Sequence, residues 1–159
     1  MKSKLCLLLL VISASLACNH TARLYPVQGP LSVQKPVPVM IAKITGTFTP
    51  GDISVVLSDG EVCKGHWNIL NPAKPARNSN TATAADNSMS SAWDTIYGPG
   101  FYVSRVLGAQ YYAQAVVTGN RGTILNVEMY RPSDDAEKGI GVVKGVAKDN
   151  RDNLYKLVL

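Results

Sequence analysis

From Val39 onward the chain alternates apolar and polar positions over short runs, the pattern of half-buried β-strands. Val39 to Phe48, Ile53 to Leu57 and Glu61 to Leu70 are rich in β-branched and aromatic residues. Ser58-Asp59-Gly60 joins the last two, and its Asp-Gly pair predicts a type I′ hairpin in which Ile53, Val55 and Leu57 share a face with Val62, Lys64 and His66. Further along, the apolar stretch Phe101–Leu107 is followed by Gln110–Thr118 and Thr123–Arg131, a hairpin about Gly119-Asn120-Arg121-Gly122. Ile140–Lys148 and Leu154–Leu159 form a last hairpin through Asp149-Asn150-Arg151-Asp152-Asn153. Short strands at close spacing, joined by Gly, Asn and Asp turns, predict a mainly β fold: an antiparallel meander closed as a small sandwich or barrel. Val106–Val116 holds enough Ala and Gln to be helical instead, crossing one face of the sheet. The segments Val39–Phe48 and Leu154–Leu159 are candidate edge strands able to pair between copies.

Two stretches break the pattern. Asn19 to Pro38 carries Pro26, Pro30, Pro36 and Pro38 and reads as an extended tether or edge segment. Asn71 to Ser91 is a low-complexity run of Asn, Ala, Ser, Thr and Pro, expected as a long surface loop with a helical turn near Ser91-Ala92-Trp93-Asp94.

The first residues have a different character. Met1-Lys2-Ser3-Lys4 is cationic, Leu5 to Ile12 is apolar, and Ser13-Ala14-Ser15 and Ala17 are small, which is the order of a secretory leader. The apolar run falls short of the roughly 20 residues that span a bilayer. Ser15-Leu16-Ala17-Cys18 resembles the bacterial lipobox, with Ser15 and Leu16 in the reverse of the usual order. The resemblance implies lipid on the thiol of Cys18, cleavage on its amino side and a place in the cell envelope. Asn19 after the cysteine implies an outer membrane location facing the periplasm if the source is Gram-negative. Ser15-x-Ala17 also satisfies ordinary cleavage without lipid, and a free Cys18 could then pair with Cys63 in an oxidising compartment. The organisation expected is a signal peptide over 1–17, a lipid-anchored Pro-rich tether over 18–38, and one β-rich domain over 39–159 with a loop at 71–91. In outline the chain resembles uncharacterised small bacterial envelope lipoproteins.

Composition narrows the function. Of 159 residues, 46% are hydrophobic and 17% charged, sufficient for one packed core. The net charge of +5 includes Lys2 and Lys4 of the leader, and the remaining bases are scattered singly, which argues against a nucleic-acid partner. Cys63 and His66, three apart on a strand, point to opposite faces and so predict neither a metal site nor a catalytic pair. Cys63 reads as a buried small hydrophobe. Asp59 and Glu61 read as turn carboxylates, and Asp134, Asp135 and Glu137 as a solvated acidic bend. Gly139-Ile140-Gly141 and Gly145 lack the strand-turn-helix setting of a phosphate loop and mark bulges or close packing. With no cofactor motif, the expectation is a non-catalytic envelope lipoprotein that contacts the membrane through its anchor and another envelope protein or cell-wall material through its β-domain. The alternative is a β-barrel module for a small apolar ligand, with Tyr102, Tyr111 and Tyr112 lining its mouth.

Overall fold

The computed structural model describes residues 19–46, 49–70, 83–107, 109, 111–132 and 142–159. The leader, Cys18, the acidic bend at Asp134, Asp135 and Glu137, and Gly139-Ile140-Gly141 lie outside them. Eight strands form a closed antiparallel barrel in simple sequence order: β1 (Asn19–Gln28), β2 (Met40–Thr45), β3 (Gly51–Val56), β4 (Val62–Leu70), β5 (Tyr111–Gly119), β6 (Ile124–Arg131), β7 (Lys144–Asp149) and β8 (Leu154–Val158). The first and last strands close the ring, with Arg23 opposite Val158 and Leu24 opposite Leu157. The described parts of both candidate edge strands, β2 and β8, are therefore paired on both sides, and none of the eight described strands is a free edge.

The inner wall explains the closure. Ala22, Ala42, Ala113, Ala115 and Ala147 point inward beside Trp67, Met129, Tyr155 and Leu157, and this mixture of small and large side chains fills a narrow barrel. Two inward glycines make room for backbone: a Cβ on Gly65 would run into the Val116 carbonyl, and one on Gly145 would lie 3.0 Å from the Glu128 carbonyl.

The segment from Asn19, expected as an extended tether or edge segment, is a wall strand over its first ten residues, paired on both sides. Ala22, Leu24 and Pro26 alternate inward, and the strand tolerates Pro26 because the register shifts between Pro26 and Gln28, where a ladder bond is already lost. The remaining prolines lie in the β1–β2 connection. Of the expected loop at 71–91, residues 71–82 lie outside the described residues and 83–91 belong to α1 (Thr83–Tyr97). Met89, Ala92 and Trp93 are buried and Ile96 packs beside them, a helical i, i+3, i+4, i+7 stripe laid on the outside of the barrel. Gly98, at φ +109°, ends the helix, its N–H donating to the Asp94 carbonyl. The apolar stretch after it is no strand: Tyr102–Val106 is a π-helical turn, and Tyr102 N–H donates to Asp94 Oδ1 at 2.9 Å. The helical alternative for Val106–Val116 is likewise overturned, since its second half belongs to β5, where Ala113, Ala115 and Val117 alternate inward.

The Asp-Gly hairpin differs from its prediction by one residue. Leu57 N–H donates to the Glu61 carbonyl and Gly60 N–H to that of Leu57, with only Gly60 at positive φ, so the loop is a three-residue turn ending in a left-handed glycine. The register moves with it: Val55 faces Cys63 and Ile53 faces Gly65, while Lys64 and His66 turn outward. The inner face is therefore uniformly compact and not mixed. Hairpins β5–β6 and β7–β8 use the same loop length, closed by Gly119 N–H to the Thr123 carbonyl and Asp149 N–H to the Asn153 carbonyl.

Candidate functional site

Because the strands alternate in direction, the barrel has two unlike ends. The connections after β1, β3, β5 and β7 gather at one, which polar side chains close. Glu61, placed inward by the three-residue turn, is fully buried. Its Oε1 accepts from the N–H groups of Arg121 at 2.8 Å and Thr123 at 3.1 Å, and its Oε2 from the Thr123 hydroxyl at 2.5 Å and the Arg151 guanidinium at 3.0 Å. The Thr123 hydroxyl bond, supported by the two N–H donors and Arg151, outweighs burial and holds the carboxyl at about 2. Asp149 does the same for the next hairpin. It accepts from Arg151 N–H and Asn153 N–H at 2.8 Å each, from Asn153 Nδ2 at 2.9 Å and from the Tyr155 hydroxyl at 2.6 Å. Of the two expected turn carboxylates, Asp59 is one, half exposed beside Arg121, whereas Glu61 is part of the plug.

At the opposite end the described residues leave a recess. A cavity of about 80 Å³ lies there, lined by Ile44, Gly46, Trp67, Ile69, Tyr111, Tyr112, Ala113, Met129, Tyr130, Arg131, Val143 and Leu159. Trp67 is fixed at its floor by an indole N–H donated to the Thr45 carbonyl at 2.8 Å. Tyr111 and Arg131 face each other across β5 and β6 at the rim, the guanidinium 5.7 Å from the ring centroid. Tyr112 lies one position on, buried, its hydroxyl accepting from Gln114 Nε2 at 2.7 Å. Burial and the nearby Glu128 carboxylate push its phenol far above the ordinary range, so it remains a neutral phenol.

Of the three tyrosines expected at a barrel mouth, the structure places Tyr111 and Tyr112 in this lining and Tyr102 elsewhere. Tyr102 lies on the π-helical turn outside the wall, packed with the cluster under α1. That cluster is an aromatic seam: Trp93, Tyr97 and Phe101 stack at 4.8–6.0 Å, and Tyr130 meets Trp93 and Phe101 edge-on. It clamps the helix to the wall, with the Trp93 indole N–H donating to buried Glu128 at 2.6 Å. The lining residues not foreseen include Ile44, Trp67, Met129 and Arg131, from the three strands β2, β4 and β6, and Leu159, which follows β8. Only the correct register puts Trp67 on the inward face, although its alternation with Cys63 and Gly65 was present in the sequence.

Cys63 and His66 do not converge. Cys63 is buried in the barrel, and burial, reinforced by Glu61, pushes its thiol up to about 11. His66 is exposed on the outer wall, its Nδ1 2.5 Å from Asp52 Oδ1. Cys63 is also remote from the start of β1. Asn19 pairs with Thr45, whose rung continues to Asp52 and His66, so Asn19 and Cys63 are three strands and a further three residues apart. Cys18, the other cysteine of the disulfide alternative, lies outside the described residues. Among the described residues no group of three or more His, Cys, Asp or Glu side chains is gathered as a metal site. No family model, curated protein or solved structure matches the chain.

Proposed function

We propose that this chain is a non-catalytic binding module, held at the cell envelope by lipid on Cys18, whose recessed barrel end takes a small apolar ligand. The observation that carries the ligand reading is the contrast between the two ends: one plugged by Glu61 and Asp149, the other a cavity walled by Ile44, Trp67, Met129 and Leu159. Concave, mostly apolar sites at barrel mouths are where small ligands bind, and a rigid closed wall keeps such a site preformed. The leader and the lipobox-like Cys18 support the anchor.

Trp67 reports occupancy directly. A decanol carrying bromine at its far end should quench Trp67 saturably in the chain from Cys18 onward, with the signal lost in Trp67→Phe and weakened in Ala113→Leu, which fills the cavity floor. Quenching that is linear in concentration, or equal in Trp67→Phe, would remove the ligand reading. For the anchor, intact mass of protein taken from bacterial membranes should carry a diacylglyceryl increment that Cys18→Ser lacks, and an unmodified mass beginning at Cys18 would remove it.

An exposed apolar stripe favours a protein partner as a second reading. Tyr25, Ile41, Val56 and Val158 are each 37–47% exposed on adjoining strands of the outer wall, with Val39 exposed just before β2. Ile41→Lys should abolish any such association without disturbing quenching at the mouth.

A further inference from the structure

We propose that the connection between β1 and β2 is a membrane-contact loop, its exposed valines entering the headgroup layer of an anionic bilayer and Lys35 meeting the charged heads. This rests on the envelope reading for its membrane, and on neither a ligand at the mouth nor lipid on Cys18. The loop holds hydrocarbon out in solvent. Val33 is 77% exposed, more than any other large apolar residue among those described, with Val37 at 46% and Val27, near the end of β1, at 45%. Its conformation is fixed from beneath. Leu31 packs against the barrel core, and its N–H donates to Asn153 Oδ1 at 2.9 Å. The Ser32 N–H and hydroxyl both donate to the Gly29 carbonyl, at 3.1 and 2.7 Å, and the Gln34 N–H donates to the Leu31 carbonyl at 3.4 Å. Pro30, Pro36 and Pro38 further restrict the backbone. Val33 is therefore presented by a braced turn, and little ordering cost remains to be met on docking.

Charge selects the partner. From Asn19 to Gly51 the sequence has no Asp or Glu, while Arg23, Lys35 and Lys43 lie within it. Lys35 is exposed in the loop itself, and Arg23 and Lys43 are exposed on the outer faces of the two flanking strands. Asp152, whose backbone meets Gly29 at the base of the loop, shares a recess with Lys148. A valine that projects two residues from a lysine needs no pocket in its partner. It needs a layer soft enough to take a side chain and anionic groups to meet the cation, and the interface of an anionic bilayer offers both.

The test uses the chain from Cys18 onward carrying Cys18→Ser, so that no lipid holds it. Vesicles of phosphatidylglycerol and phosphatidylethanolamine are compared with vesicles of phosphatidylcholine alone. The protein should sediment with the first and not with the second, and salt should weaken the association. Lys35→Gln should lower the partition coefficient about fivefold, the loss expected for one cation at an anionic surface, and Val33→Ser by roughly the same factor through lost apolar burial. With Cys63 buried, a nitrobenzoxadiazole dye goes to an introduced thiol. On Val33→Cys its emission should shift to the blue on the anionic vesicles; on Val116→Cys, 59% exposed on β5 across the barrel, it should not. Equal sedimentation with both lipids, or equal dye responses at both positions, would overturn the assignment. Protein left in the supernatant by both would overturn it too and give the valines to a protein partner, while the intact mass of membrane-extracted protein shows separately whether the envelope reading stands.

Discussion

Tyr155→Phe removes a single oxygen from the plugged end and leaves the ring in place. Tyr155 is fully buried and its hydroxyl donates to Asp149 Oδ2 at 2.6 Å. Since phenylalanine fills the same space, no cavity cost is added, and the loss is that of one hydrogen bond to a buried carboxylate, about 1.5–3 kcal/mol. Asp149 keeps its bonds from Arg151 N–H, Asn153 N–H and Asn153 Nδ2, which places the expected value near the lower bound, about 1.5 kcal/mol. For a domain of this size that lowers the melting temperature by about 5 °C. Urea unfolding of the two proteins should show a lower midpoint at unchanged slope, because the surface exposed on unfolding hardly differs. A double-mutant cycle with Asp149→Asn isolates the pair and should return a coupling of about 1 kcal/mol or more. A loss below about 0.5 kcal/mol with no coupling would mean that the hydroxyl exchanges freely with water, and the account of this end as a sealed polar plug would be refuted.

Three further outcomes follow from the same residues. Glu61 has a carboxyl lowered from the ordinary 4.5 to about 2 in the folded protein, so its contribution is complete above about pH 5 and is lost as the pH falls toward 2; thermal melts across that window should fall steeply, and less so in Glu61→Gln. Cys63, buried with its thiol raised to about 11, should resist iodoacetamide at pH 8 in the native protein and react promptly in denaturant, as intact mass would record. Gly65→Ala drives a methyl group at the Val116 carbonyl across the β4–β5 seam and should destabilise by about 1–3 kcal/mol in urea unfolding, far more than Gly60→Asn at the open turn, where no atom lies within 4 Å.

Much of the fold was legible because the inner wall alternates so regularly. Met40, Ala42 and Ile44, or Ala113, Ala115 and Val117, announce strands without help. What failed was local in each case. The β1 strand hid behind alanine and proline at inward positions, where the contrast with polar neighbours is weakest. Helix α1 carried its signal in Met89, Ala92, Trp93 and Ile96, but Ser, Thr and Asn around them made the segment look like a loop. The hairpin at Asp59-Gly60 turned on one backbone angle: a type I′ turn needs positive φ at both residues, and only Gly60 adopts it. That one-residue difference decided the site as well, since it sends Glu61, Cys63 and Trp67 inward and His66 out. Tyr111 and Tyr112 were foreseen from aromatic density. Tyr111 and Arg131 meet through the local β5–β6 hairpin, whereas Leu159 reaches Ile44 only through closure of the ring, which no local pattern encodes.

That closure also sets when the protein can fold. The seam joining Arg23 to Val158 and Leu24 to Leu157 unites the first described strand with the last, so no stretch of the growing chain can complete the wall before β8 has been made. Contacts between such distant segments are formed slowly, because the chain must lose its freedom over the whole intervening length before they reward it. Until β8 has been made, β1 lacks one of its two neighbours, and its backbone stays exposed to pairing with other chains.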